Sequence, residues 1–142
     1  MRKIIPLTLV ILMWSGVALG QEWHTANQVT IGWDPVTTLV GGVSIDTETS
    51  LIKYAVYIKN AVTGGEPVQV TETEATEFTI TLGTEGKYFL GVQSLRYNAD
   101  GSSLVAQSEV AWSDNPESCQ DGEAFGVQYF EAPDKAGGLH VQ

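Results

Sequence analysis

The sequence predicts an all-β protein built as an antiparallel β-sandwich. Several short segments alternate apolar and polar side chains with period two, a pattern typical of strands with one face on a core. Turns rich in glycine and polar residues separate these segments, and none of them shows a sustained helical period. Because the strands lie close together in the sequence, we expect them to pair antiparallel.

The first predicted strand covers residues 28–34. Its apolar side chains Val29, Ile31 and Trp33 share one face, which we expect to lie on the core. Pro35 ends the strand, because proline has no N–H to donate to a neighbouring strand.

The second predicted strand covers residues 53–60 and has apolar side chains on both faces, as expected for a strand inside a sheet. One face carries Tyr54, Val56 and Ile58. After a glycine turn at 63–65, a short edge strand is predicted at 67–71.

Three further strands follow. Residues 78–82 alternate Phe78, Ile80 and Leu82 with threonines, and residues 87–95 place Tyr88, Leu90 and Val92 on one face. An Asp-Gly hairpin signal at residues 100–101 then leads into the strand predicted at 104–112.

A long loop at residues 35–52 is unusually apolar. Its sequence around Gly41 and Gly42 predicts a small hairpin, since two glycines allow the primed turn types. The apolar side chains either pack on the domain's own core or form a binding surface: Leu39, Val40, Val43 and Ile45.

Taken together, residues 28–113 resemble a fibronectin type III domain, an immunoglobulin-like sandwich. Residues 29–35 are similar to its second strand, 54–57 to its third, 88–92 to its sixth and 108–110 to its last. Leu82 followed six residues later by Tyr88 resembles the family's tyrosine corner, in which the phenol hydrogen-bonds to nearby backbone.

The resemblance implies where several residues lie. Four are expected in the structural core: Trp33, Tyr54, Leu82 and Tyr88. It also implies that the loop at 35–52 and the loop at 97–103, with Tyr97 and Asp100, lie at the same end of the sandwich and could form one binding surface. The sequence is also similar to small secreted bacterial proteins that contain such a domain.

The sequence departs from the family at both ends. Residues 21–27 show no alternation where a first strand is expected, and residues 114–142 form an irregular C-terminal extension. Within this extension an additional strand is expected at 125–130, with Phe125, Val127, Tyr129 and Phe130. Residues 132–141 resemble the linker and first strand that open many fibronectin domains.

These departures suggest a hypothesis about the tail. Either 125–130 or 138–141 pairs with the open sandwich, on its own domain or on a neighbour, because an unpaired sheet edge is a template for another strand. A disordered acidic tail is the alternative, although its aromatic residues argue against full disorder.

Residues 1–20 have the three parts of a secretory signal peptide. Arg2 and Lys3 precede a short apolar run, and Ala18 and Gly20 form a small-residue cleavage site. We therefore expect a secreted, periplasmic or extracellular protein that begins at Gln21 and has no stable membrane insertion after cleavage. An uncleaved membrane anchor is the alternative.

Composition limits the partners. Without the leader, five basic residues stand against seventeen acidic ones, a formal charge of −12. Such a surface repels phosphate backbones and disfavours nucleic-acid binding.

Cys119 is the single cysteine, so an intrachain disulfide is excluded; it is expected to be free, buried or paired with another chain.

Catalytic, cofactor and metal sites are not indicated. His24 and His140 lie at opposite ends of the mature chain, outside any nucleophile–base pattern. The acidic residues between 114 and 123 do not fit the spacing of a calcium-binding loop.

The sequence thus favours a non-catalytic binding or adhesion module, for a protein or glycan ligand, that acts through its tip loops or its sheet edge. A structural subunit that self-associates through its C-terminal tail is the alternative. A small hydrolase is a third hypothesis, and the lack of a histidine-centred constellation weighs against it.

Overall fold

In a computed structural model, which describes residues 21–142, the chain forms eight strands and two short 3₁₀ helices. The predicted signal peptide lies outside the described residues. The strands are β1 (Glu22–Thr25), β2 (Gln28–Gly32), β3 (Ser50–Asn60), β4 (Val68–Thr73), β5 (Glu77–Thr81), β6 (Gly86–Asn98), β7 (Leu104–Trp112) and β8 (Phe125–Tyr129). The 3₁₀ helices at Pro116–Ser118 and Gln120–Gly122 lie between β7 and β8. The prediction of an all-β sandwich with antiparallel sheets is confirmed.

Six strands form the larger sheet, in the order β1-β8-β6-β3-β4, with β7 also paired to β6. The long strand β6 has β3 along one edge. Along its other edge, β7 pairs with the part from Gly91 to Tyr97 and β8 with the part from Gly86 to Tyr88. Strands β7 and β8 therefore lie end to end on β6, separated in sequence by the two 3₁₀ helices.

The smaller sheet contains only β2 and β5, paired antiparallel. Its inward side chains Ile31 and Ile80 pack against Val56, Leu90 and Val127 of the larger sheet, and these residues are buried. The core of the sandwich is this contact between the two sheets. No disulfide supports it, because Cys119 is a free cysteine.

Strand β1 was not predicted from the sequence. It pairs parallel to β8 at the edge of the larger sheet, with Trp23 opposite Gly126. Only Trp23 in this strand is a large apolar residue, so the segment has no alternation to detect. Its position is set by β8, which is distant in the sequence.

Residues 21–142 contain no helix that is long and apolar enough to cross a membrane.

Candidate functional site

Strand β2 uses only one of its two edges. On that edge the Leu82 amide donates to the Asn27 carbonyl at 2.7 Å, and the Trp33 amide donates to the Thr76 carbonyl at 2.9 Å. These two bonds fix the hydrogen-bonding phase of the pair, because backbone groups of alternate residues in an antiparallel strand point to opposite sides. The odd-numbered residues of β2 therefore face β5.

The even-numbered residues of β2 face the other way. The backbone N–H and C=O groups of Gln28, Thr30 and Gly32 point away from β5, and no other strand in the described part of the chain pairs with β2. A row of unpaired backbone groups of this kind is a ready template for another strand.

A cleft of about 570 Å³ lies along this open edge, and we call it the edge cleft. Its apolar lining comes from the sandwich interior: Val29, Ile31, Leu90, Val92 and Phe125. The residues on its other side come from β1 and the segment that follows β7: Glu22, His24, Ser118, Cys119, Gln120 and Glu123. The cleft stays open because β1 pairs with β8 rather than with β2.

Two titratable side chains of the edge cleft, His24 and Cys119, contact other parts of the chain. The His24 ring packs edge-on against Phe125, with ring centroids 6.0 Å apart. The Cys119 thiol donates to the carbonyls of Ser113 and Asn115, both at 3.3 Å. Burial, and then the nearby Asp114 carboxylate, raise the pKa of this thiol, which disfavours the reactive thiolate.

Metal binding has no support in the described part of the chain. No group of three or more His, Cys, Asp or Glu side chains is placed to hold an ion in residues 21–142. The edge cleft thus offers backbone hydrogen-bonding groups beside an apolar lining, an arrangement that suits an extended polypeptide.

The predicted tip loops lie at one end of the sandwich, since Ser50 at the start of β3 pairs with Asn98 at the end of β6. Thr38 and Ser44 form a bridge, and the Leu39 amide donates to the Val43 carbonyl at 2.8 Å. These contacts close a small hairpin where the sequence predicted one. The connection has three residues and ends at Gly42, whose φ of +81° suits glycine.

The two loops differ in what they leave accessible. Val40 and Val43 are exposed, whereas Ile45 is half-buried. The Tyr97 hydroxyl donates to a Glu72 carboxylate oxygen at 2.7 Å, and this bond raises the pKa of Tyr97. Asp100 accepts a bond from the Ser102 amide, and its interactions with Ser102 lower the pKa of the Asp100 carboxyl.

The segment considered for strand addition divides into two parts. Phe125, Val127 and Tyr129 lie in β8, which pairs with β6 and β1 of the same chain, and Val127 is completely buried. This segment therefore does not cover the open edge of the sandwich and is not available to a neighbour. Phe130 follows the strand and is exposed.

The four expected core residues differ in burial. Tyr54 and Leu82 are buried, whereas Trp33 and Tyr88 are only half-buried. Trp33 lies just beyond β2 and packs edge-on against Tyr54, with ring centroids 5.5 Å apart. Its indole ring is one of the groups that line the edge cleft, which explains its partial exposure.

Tyr88 makes the hydrogen bond that the tyrosine-corner resemblance implies. Its hydroxyl donates to the Thr84 carbonyl at 2.8 Å. This bond closes the turn between β5 and β6, so it fixes the direction in which the chain crosses from the small sheet to the large one.

The outer face of the larger sheet carries an aromatic cluster that sequence reasoning missed. Trp23 packs against Phe89 with ring centroids 5.4 Å apart, and the Lys59 ammonium lies 4.1 Å from the centroid of Trp112. Lys87 lies over Trp23 in the same way. Because lysines cover these rings, the cluster is a small secondary core rather than a bare apolar patch.

Comparison with known proteins gives one structural resemblance. No family model matches the chain, and no curated protein matches it. The chain is similar in structure to the solution structure of a fibronectin type III domain from a human protein, with a TM-score of 0.45 and 21% identity. That similarity covers 83% of this chain and 79% of the human domain.

Proposed function

We propose that this chain is a secreted, non-catalytic binding module that holds an extended polypeptide segment against the open edge of β2. The observation that supports this most directly is the row of unpaired backbone groups on Gln28, Thr30 and Gly32, of which Thr30 and Gly32 line the edge cleft. Backbone hydrogen bonds would supply the affinity in such a complex, and alternate side chains entering the cleft would supply specificity.

The size and lining of the cleft agree with this function. Its volume of about 570 Å³ falls in the usual range for ligand sites. Alternate side chains of an extended strand point to the same face, so every second residue of a bound segment could contact Leu90, Val92 or Phe125. A ligand rich in carboxylates is disfavoured, because Glu22 and Glu123 border the cleft.

Amide hydrogen exchange tests this proposal. The probe is a short synthetic peptide of alternating threonine and valine, with lysine at both ends for solubility. Its addition should slow exchange at the Gln28, Thr30 and Gly32 amides. The amides of Val29 and Ile31, which face β5, should change little.

A matched pair of variants isolates the backbone contribution. Thr30→Pro removes an outward N–H, whereas Thr30→Ala keeps it; both remove the hydroxyl contact with Thr79. The alanine variant should bind the probe and the proline variant should not. Unchanged exchange at Gln28, Thr30 and Gly32 with saturating probe would overturn the proposal.

The tip loops give a second candidate surface. Val40 and Val43 are both exposed in the small hairpin between Thr38 and Ser44. Binding at the tip loops would shift the NMR signals of Val40 and Val43 and leave those of β2 unchanged. An NMR titration with the ligand therefore distinguishes the two surfaces.

A further inference from the structure

We infer that the segment taken up by the edge cleft is residues 138–141 of a second copy of this chain. This inference rests on the proposed function, because it names the ligand of the same edge. It concerns a part of the chain that the sandwich leaves unused: residues 130–142 have no secondary structure and follow directly after β8.

The segment has the pattern that the cleft requires. Leu139 and Val141 are 90% and 99% exposed, and they are two residues apart. In an extended strand both side chains therefore point to the same face. Paired against Gln28, Thr30 and Gly32, the segment would place these two apolar side chains over the lining of the cleft.

Charge also favours this segment. Residues 138–141 contain no acidic side chain, in a mature chain whose formal charge is −12. A segment that carried carboxylates would be repelled by Glu22 and Glu123 at the cleft. A segment without acidic side chains avoids that repulsion.

The residues before it form a suitable tether. The amide of Ala26 donates to the Gln128 carbonyl, so the tail leaves β8 near the start of β2. Glu131 is held by a bond from its amide to the Glu85 carboxylate. Pro133, Gly137 and Gly138 disfavour regular structure between that point and Leu139.

We infer a second copy because a single copy leaves both the tail segment and the edge cleft exposed. In a single copy, Leu139 and Val141 lie in solvent and the edge cleft is open. Each molecule therefore presents both a strand donor and a strand acceptor. Because donor and acceptor are different surfaces, the contact is head-to-tail and need not close into a dimer.

Sedimentation velocity of the purified protein tests this inference. Measurements run from about 10 μM to about 1 mM, since association depends on protomer concentration. They are made in about 0.5 M salt, which screens the repulsion between acidic copies. The sedimentation coefficient should rise continuously with concentration and pass beyond that of a dimer.

The paired substitution Leu139→Asp and Val141→Asp should keep the protein monomeric over the whole range. The matched control is Val62→Asp, which adds a charge at another exposed valine and should leave association unchanged. Thr30→Pro should abolish association and Thr30→Ala should preserve it. Association that survives both tail substitutions, or that is lost with Val62→Asp, would overturn the inference.

Two further outcomes separate this inference from the proposed function. If the threonine–valine peptide protects the β2 edge but the protein is monomeric at every concentration, the second-copy inference fails and the strand-binding function stands. If the Gln28, Thr30 and Gly32 amides are protected equally at all concentrations, and the tail substitutions remove that protection, the tail binds its own cleft and the second-copy inference fails.

Discussion

The indole of Trp23 lies directly on the backbone of Gly126, its partner across the parallel pair of β1 and β8. A Cβ atom at position 126 would lie 2.7 Å or less from two atoms of that ring. Glycine inside a strand often marks a close approach of this kind. The contact ties β1 to the sheet, so it provides a direct test of how firmly the first strand is held.

Gly126→Ala should lower the free energy of unfolding by about 1–3 kcal/mol, the usual cost of overpacking a well-filled site. The control is Gly83→Ala, because a Cβ at position 83 meets nothing within 4 Å and should change stability little. Urea denaturation followed by tryptophan fluorescence measures both. Equal stabilities for the two variants would show that the Trp23 contact does not constrain the native state.

Tyr88→Phe should reduce stability by about 0.5–1.5 kcal/mol, because it removes the hydroxyl that donates to the Thr84 carbonyl. Tyr129→Phe is the matched control, because Tyr129 also packs against the core but its hydroxyl makes no hydrogen bond within residues 21–142. Thermal unfolding by circular dichroism compares them. A Tyr88→Phe variant as stable as the wild type would mean that the bond is replaced by water at no cost.

Cys119 should react slowly with a thiol reagent at about pH 8, because burial and Asp114 raise its pKa and reduce the thiolate fraction. Asp114→Asn should speed the reaction, though not to the rate of an unfolded cysteine, since burial is the larger cause. Glu117→Gln serves as the control. The raised pKa also makes stability depend on pH. The stability that this thiol contributes is present below the pKa of the unfolded state and is lost as the pH rises through the raised pKa of the folded state. A rate that is the same in all three proteins would contradict the role of Asp114.

Exported protein should begin at Gln21, because Ala18 and Gly20 form the small-residue cleavage site of the predicted leader. Intact-mass spectrometry of protein from the medium or the periplasm decides this. Recovery of full-length chain from the membrane fraction alone would support an anchor instead.

Local pattern predicted the strands well where one face is buried. The alternation of Val29 and Ile31, and of Phe78 and Ile80, marks β2 and β5, in which Ile31 and Ile80 are buried. The strand predicted at 104–112 also has the same bounds as β7, although most of β7 is exposed. In β2 and β5, the alternation of side chains within a single segment already shows which face is buried.

The edge strand β4 was predicted, whereas the edge strand β1 could not be predicted in the same way. Strand β1 forms because β8 lies beside it. Their pairing is parallel, so no hairpin turn in the sequence indicates it. The edge cleft is even harder to predict, because it lies along the edge of β2 that has no partner strand. Gly126 within an aromatic run was the one local signal of close packing by a distant residue.

The pairing of β1 with β8 also has a consequence for the order in which the protein folds. A side-chain hydrogen bond between Gln128 and Thr25 joins residues 103 apart in the sequence, so the loop that this strand pair closes spans most of residues 21–142. Closing so long a loop carries an entropic cost that local hairpins do not carry. We therefore expect the β3–β4 and β6–β7 hairpins to form first and the first and last strands to join them late. Interactions that form after the transition state act mainly on the unfolding rate, so loss of the Trp23 contact should speed unfolding and leave the folding rate nearly unchanged.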